Sequence, residues 1–322
     1  MDNLKNCEKG MSLVELMVSM VIGLFLTLGL FGMFSMSSSN VITTSQFNQL
    51  QENGRIALSL MERDISQLGF MGDITGTDFV LGTNMTLRDG VANDCIGAGV
   101  NNGTLPNAEP AHFRRLWGYE EGESGDTLSC LSGVNQNTDV IQIKRLVGPP
   151  VTNPNGERFY MAATSSEAVM FKGGNPPNPV LENARFWEYQ HHIYFIKNDG
   201  SVPVLRRKTL TKNNGMNNEE QLVEGIENMR ILYGFDSNGD DTADSFMPAE
   251  NVTTLMWDNE LFQRLVALRV FLLVRAIDED KSYTNETTYT LGDKEIKNLN
   301  DHYRRKIVST TMVLANPVLI RN

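Results

Sequence analysis

From Met11 to about Met36 the chain reads MSLVELMVSMVIGLFLTLGLFGMFSM, an apolar run with a single charge, Glu15. No further charge follows until Glu52, and the first proline of the chain is Pro106. A helix from Met11 to Phe34 would be roughly 35 Å long, enough to cross a hydrocarbon core of about 30 Å. Gly23, Gly29 and Gly32 are tolerated in such a helix, where they let neighbouring helices approach closely. From Phe47 the pattern changes. Phe47, Leu50, Gly54, Ala57, Leu58, Met61, Ile65 and Leu68 recur at spacings of three and four and define one helical face. Asn48, Gln49, Glu52, Arg55, Ser59, Glu62, Arg63 and Gln67 fill the other, and Gly69 is the stop. The pattern predicts one helix from Met11 to Leu68, roughly 87 Å long. Its first half belongs in an apolar environment and its second half packs on a globular sheet. Two helices separated by a loop at Ser37–Asn40 are the alternative.

The stretch from about Gly72 to Gly133 is rich in Gly, Asn, Asp and Thr and weakly periodic, so it reads as loops with short strands. Strand signals follow at Val140–Ile143, Ile226–Phe235, Leu265–Ile277 and Arg304–Leu314. His191–Ile196 and Val202–Leu210 flank Asp199-Gly200 and read as a hairpin. In Leu265–Ile277, Val266, Leu268, Val270, Leu272 and Val274 share one face. Hairpins and meanders imply an antiparallel sheet whose apolar face needs a cover, and the amphipathic half of the helix supplies it. The expected fold class is α+β: a long N-terminal helix packed on an antiparallel β-sheet body. The expected segments are 1–10 before the helix, 11–36 in the membrane, 37–69 as the amphipathic continuation and 70–322 as the β-rich body.

Composition narrows the function. The 322 residues are 41% hydrophobic and 21% charged, which excludes a polytopic membrane protein and a wholly disordered chain. The net charge of −11 disfavours a general nucleic-acid or anionic-lipid binder, and no nucleic-acid partner is expected. For the apolar run, a secretory signal peptide cut near Ser37–Ser39 is disfavoured by its length and by preceding residues, Asp2, Lys5, Glu8 and Lys9, that carry no net charge. A lipoprotein signal fails because Cys7 follows Leu4-Lys5-Asn6 with no apolar stretch before it. A plain membrane anchor leaves Glu15 unexplained. A carboxylate four residues into an apolar run is costly unless partnered, and by default marks function.

Lys9-Gly10 followed by Met11-Ser12-Leu13-Val14-Glu15-Leu16-Met17-Val18 resembles the class III signal of type IV prepilins. The resemblance implies that a prepilin peptidase cuts after Gly10, that Met11 becomes the N-methylated N-terminus, and that Glu15 is the family's assembly glutamate. Two features depart from the pattern: Met11 stands where phenylalanine is commoner, and the leader has no net positive charge. Gln51–Arg55 through Asp64-Ile65 and Gly69-Phe70, Arg269–Arg275, and Tyr303–Thr311 resemble the corresponding stretches of PilW-type minor pilins. The likeness thus covers both ends of the chain and leaves the middle divergent. Independently of family, cleavage would create a buried amine at Met11, and two buried opposite charges cost less paired than apart. Glu15 can meet the amine of its own chain or of a neighbouring subunit, which would fix the stagger between subunits.

Cys7 would leave with the leader, so the mature chain keeps Cys95 and Cys130 on the oxidising side of the membrane. A Cys95–Cys130 disulfide is expected, stabilising by roughly 3–4 kcal/mol, with two buried free thiols as the alternative. Asp236, Asn238, Asp240 and Asp244 match the first part of a calcium loop, but Asp241 stands where that loop wants glycine and Met247 where it wants glutamate. Ca2+ is the one candidate cofactor, against a solvated acidic turn. Adjacent His191 and His192 point to opposite faces of a strand and cannot share a metal without distortion. His112 and His302 carry no ligand pattern. Arg114-Arg115, Arg206-Arg207-Lys208 and Arg304-Arg305-Lys306 read as solvated strand ends, and Trp117, Trp187 and Trp257 as core or interface residues. No G-x-S-x-G elbow, Walker loop or H-E-x-x-H is present, so no enzyme is expected.

The resemblance implies a minor pilin that helps to initiate type IV pilus assembly and sits at the filament tip. Its partners would be other minor pilins, the major pilin, the prepilin peptidase, the inner-membrane assembly platform and a tip adhesin. It would be held in the inner membrane by one span with its body in the periplasm, then carried to the cell surface. The alternatives are a minor pseudopilin of a type II secretion system and a membrane-anchored periplasmic enzyme or receptor.

Overall fold

The structure is a computed structural model. It describes residues 10–74, 77–107, 113–122, 127–258, 262–314 and 316, apart from the side chains of Ser38, Ser39, Ile42 and Val100. Residues 1–9 of the expected leader, and His112, lie outside the described residues.

The N-terminal pattern forms one helix, α1 (Leu13–Ile65), with no break at Ser37–Asn40. Leu68 and Phe70 close the last turn with bonds to the Ile65 and Gln67 carbonyls, and Gly69 ends it at φ +79°. The chain divides into two compact units, Met1–Asn48 and Gln49–Asn322. In the first, Leu13–Ser37 has a mean hydropathy of 2.3 and no buried residue, a span long and apolar enough to cross a membrane.

The second unit holds two sheets. The larger has eight strands: β1 (Met85–Leu87), β2 (Leu116–Glu120), β3 (Asp139–Val151), β4 (Phe159–Ala163), β5 (Ala168–Lys172), β6 (Arg185–Asp199), β7 (Val202–Thr209) and β8 (Glu220–Glu224). Its order is β1-β5-β4-β6-β3-β2, with β7 and β8 continuing from the other half of the long strand β6. The smaller sheet takes β9 (Ile226–Asp236), β10 (Ser245–Pro248), β11 (Arg264–Arg275) and the last strand, β14 (Arg305–Val313), in the order β10-β9-β11-β14. A two-stranded ribbon, β12 (Tyr289–Leu291) and β13 (Lys294–Ile296), packs on its far face through Leu273 and Leu291. Pairing is antiparallel except between β1 and β5. The expected single sheet is therefore two. The predicted hairpin is β6–β7, closed at Asp199↔Val202, with Gly200 at φ +59°.

One core joins these pieces. Leu50, Ala57, Met61, Ile65 and Leu68 of α1 pack against Ile141, Ile143, Tyr194 and Leu205 of the large sheet and Met229, Ile231, Leu268, Val270 and Leu272 of the small one. Gly54 lies on the same face because a side chain would not fit: a Cβ there would stand 2.7 Å from Val308 and 3.1 Å from Val274. Phe47, placed on this face by its spacing, is instead exposed. A bulge between Leu265 and Ala267 also interrupts the expected alternation, and Leu265 takes the core position assigned to Val266. A second core fills the opposite face of the large sheet, where the 71–134 stretch covers Val140, Leu146, Tyr189, Ile193 and Phe195.

A buried carboxylate fixes the helix on the sheet. Asp64 accepts from Arg145 Nη2 at 2.6 Å, is 2.5 Å from His192 Nδ1, and accepts from the Tyr194 hydroxyl. Gln67, one turn on, accepts from Arg145 Nη1 at 2.5 Å. Burial works to raise the Asp64 pKa, but the hydrogen bonds and charges of His192, Tyr194 and Arg145 hold it well below the usual carboxylate range. Its contribution is therefore complete above the unfolded-state pKa of about 3.9 and is lost as the pH falls through the lower folded value. Asp64→Ala leaves Arg145 buried without its partner and should cost about 3–5 kcal/mol in denaturant unfolding. The wild-type melting temperature should fall steadily on acidification below about pH 4, and more steeply than that of Asp64→Asn.

Candidate functional site

The start of α1 is where the sequence concentrates its unusual chemistry. Gly10 and Met11 precede the helix and are exposed, and no atom lies within 4 Å of where a Gly10 side chain would begin. Ser12 and Glu15 form a reciprocal pair. The Ser12 backbone N–H donates to Glu15 Oε2 at 2.9 Å, and the Glu15 backbone N–H donates to Ser12 Oγ at 3.3 Å. The first helical bond, Leu16 N–H to Ser12 O at 3.1 Å, makes Ser12 the cap. This is a capping box, and the spacing Ser-x-x-Glu announces it in the sequence. It gives the carboxylate a partner within its own chain, which the reading of Glu15 as an isolated acid missed. The partner amide lies one residue beyond the Gly10–Met11 bond. Further along, Ser19 and Thr27 return their hydroxyls to the carbonyls of Glu15 and Gly23, so these polar groups are satisfied inside the helix.

The disulfide joins Cys95 to Cys130, with their Cα atoms 4.9 Å apart, and ties together the stretch that covers the large sheet. His191 and His192 point to opposite faces as expected. His192 meets Asp64, whereas His191 lies 2.8 Å from Gln142 Nε2 and 3.1 Å from Thr104 Oγ1. His302 Nδ1 contacts the Tyr283 carbonyl at 2.6 Å.

Asp236 ends β9, Asn238, Asp240 and Asp244 follow it, and all four are engaged by their own turn. Asp236 accepts from the amides of Asn238, Gly239 and Asp241 at 2.9, 2.7 and 2.9 Å. Asp244 accepts from Ser237 N–H at 2.7 Å and Asn238 Nδ2 at 2.9 Å, and Asp240 accepts from Thr242 N–H at 2.8 Å. The amide of Gly239, with those of Asn238 and Asp241, holds the Asp236 carboxyl below its usual range. Among the described residues, no three His, Cys, Asp or Glu side chains come together as a metal ion would need. As folded, these oxygens accept from the amides of their own turn.

The basic clusters are not solvated strand ends. Arg114 is buried against Asp258, with Nε–Oδ1 at 2.5 Å and Nη2–Oδ2 at 3.0 Å. Arg115 is buried over the Phe79 ring and donates to Thr77 O at 2.6 Å. Arg206 and Arg207 pair with Glu219 and Glu220, and Lys208 is buried. Arg304 pairs with Asp280, and Arg305 with Glu227 and Asp301. Runs of adjacent cations read as surface because each arginine's acidic partner is distant in sequence, apart from Asp301 four residues from Arg305. Sequence reasoning also missed Arg230. It is buried on β9 and pairs with Glu120 and Asp139 of the large sheet, with Glu250, and with Asp293 of the β12–β13 turn. Burial pushes the Asp139 carboxyl up to about 7, against the pull of Arg230. Trp117 and Trp187 are core residues, and Trp257 is half-buried beside a cleft of about 310 Å³ that Trp117, Tyr119 and Glu250 also line.

With this geometry in view, comparison with known families gives two matches. Residues 5–31 match the prokaryotic N-terminal methylation motif, and residues 193–316 match the family described as type IV pilus-assembly protein W. No curated protein and no solved structure matches the chain. The acidic turn lies inside the second match, so calcium is worth testing directly. Millimolar calcium should give no binding heat and no shift in the melting temperature of the full-length protein. An upward shift that Asp240→Asn abolishes would instead show the turn reorganising around the ion.

Proposed function

We propose that this protein, a type IV pilin-like chain of the PilW type, is a minor pilin that primes pilus assembly and sits at the filament tip. The observation that carries the reading is the coincidence of three features in one chain. A methylation motif stands at the start of α1, an unburied apolar helix of membrane-spanning length follows, and the second half of the body matches a pilus-assembly family. The matched families point to a structural role, not to catalysis.

The mechanism is one of helix association. The apolar part of α1 holds the chain in the inner membrane, with the body in the periplasm. A prepilin peptidase cuts after Gly10 and the Met11 amine is methylated. Glu15, which caps its own helix in the uncut chain, then has a cation four residues away, at Met11. Pairing with that amine, or with a neighbour's, removes the cost of an isolated charge in lipid and sets the axial stagger between subunits. Other minor pilins, the major pilin, the assembly platform and a tip adhesin are the partners this role requires. The pilus-assembly match supports this reading over a type II secretion pseudopilin, which would share the same signal and helix. Loss of surface pili and twitching on deletion, with exoprotein export intact, is the expected discrimination.

The capping box allows a sharper test. Gln serves a capping box as well as Glu does but carries no charge. Glu15→Gln should therefore keep helix start and membrane insertion yet be absent from sheared pili, as should Glu15→Ala. Normal incorporation of either variant would remove the charge from the mechanism. Mass spectrometry of the protein recovered from pili should find Met11, methylated, as its first residue. A chain still beginning before the Gly10–Met11 bond would overturn the proposal.

A further inference from the structure

We propose that Lys144 and Asn102 are joined by an intramolecular isopeptide bond. Lys144 lies in the middle of β3, on the face of the large sheet that the disulfide-bearing stretch covers, and has no exposed surface. Its Nζ is 3.2 Å from Asn102 Oδ1 and 2.8 Å from the Arg114 carbonyl oxygen, and it sits 4.6 Å from the centre of the Phe113 ring. Both acceptors are neutral. Among the described residues no carboxylate is within ion-pair distance of Nζ, so a charged ammonium here would be poorly compensated. Burial, with the Arg114 charge adding to it, lowers the Lys144 pKa well below its ordinary value against the opposing pull of Asp94. Such a lowering raises the share of the free amine, the form of lysine that acts as a nucleophile.

Asn102 is equally buried, and its orientation is fixed. Nδ2 donates to the Gly97 carbonyl at 3.0 Å, which leaves the amide oxygen toward Lys144. With Nζ 3.2 Å from that oxygen and a C=O bond of about 1.2 Å, the amide carbon is at most about 4.4 Å from the amine. Asp94 stands on the Gly103 side of Asn102, beyond ion-pair distance of Nζ. Asp94 Oδ1 accepts from the amides of Cys95 at 2.6 Å and Thr104 at 2.9 Å, and Oδ2 lies 3.3 Å from where a Gly103 Cβ would stand. Amine, amide and an aromatic wall thus meet in one buried place, where a lysine can displace ammonia from an asparagine side chain.

The reaction balances without a further reagent. The Nζ lone pair attacks Asn102 Cγ and forms the Nζ–Cγ bond. A proton passes from the attacking nitrogen to Nδ2 as the Cγ–Nδ2 bond breaks. One ammonia leaves, and no atom is oxidised or reduced. The product replaces a buried ionisable amine with a neutral amide, so folding that excludes water also favours the bond.

The test is a mass measurement on the purified, reduced full-length protein. It should weigh less than its sequence by one ammonia, about 17 Da. A digest of the unfolded protein should give a branched peptide joining the Asn102 and Lys144 segments, with no tryptic cleavage after Lys144. Asn102-Gly103 can lose the same mass by closing onto its own backbone, so a variant matters. Lys144→Arg should retain the full sequence mass. Full mass in the wild type, unlinked Asn102 and Lys144 peptides, or a loss that persists in Lys144→Arg would overturn the proposal.

Discussion

A helix that covers two sheets must be held in one rotation and at one height, and apolar contacts alone specify neither. Here the specification comes from one buried carboxylate. Asp64 collects a guanidinium, an imidazole and a phenol, from Arg145 on β3 and His192 and Tyr194 on β6. Each of those groups would be costly to bury without it, and it would be costly to bury without them. Sliding the helix by one turn would break every bond in the set. The apolar residues around it, Met61 and Ile65 above all, then fall between the two sheets, and Gly54 lets β11 and β14 come close beneath the preceding turns. The polar network sets position, and the hydrophobic face supplies most of the attraction.

The elements most legible in the sequence are those whose signal is local. The helix shows in its 3.6-residue period, the β6–β7 hairpin in Asp199-Gly200, and β9, β11 and β14 in runs of β-branched and aliphatic residues. Local signals failed where the deciding contact is distant. Strands β4 and β5 are five residues each and fully or largely buried, so they carry no alternation to read. The division into two sheets depends on which strands find each other across tens of residues. Val266 is displaced by a bulge that only the pairing of β11 with β9 reveals. Phe47 continues the helical stripe in sequence, but that stripe's burial begins with Leu50.

The functional residues follow the same rule. Gly10, Met11, Ser12 and Glu15 lie within six consecutive positions, so their arrangement could be read directly, including the cap that the Ser-x-x-Glu spacing encodes. The acidic turn after β9 was equally visible, but its spacing suits an ion and a self-bonded turn alike, and the amides that occupy its oxygens come only with the fold. Lys144 gave no signal at all. It is one lysine in a strand, and only the fold brings Asn102, Phe113 and the Arg114 carbonyl to it. Asp64 and Arg230 were hidden likewise, each defined by partners from several elements.

The placement of charge bears on how such a chain could associate. The composition is acidic, yet many of its cations are inside: Arg114, Arg115, Arg145, Lys208, Arg230 and Arg305 are all buried, several of them with acids alongside. Buried cations outnumber buried acids among the described residues, so the surface of the body is more acidic than the net charge of −11 suggests. Copies of the body would repel one another, weakly at physiological salt but over about 8 Å. Attraction between subunits therefore has to come from elsewhere. Among the described residues, a long unburied apolar surface is the first part of α1, where Leu13–Ser37 carries no charge but Glu15. In lipid that surface gains little from self-association, because acyl chains are as apolar as its side chains. A single acid with an electrostatic partner is what remains to make association directional. That is why the capping carboxylate, and not the size of the apolar helix, is the feature on which an assembly role depends.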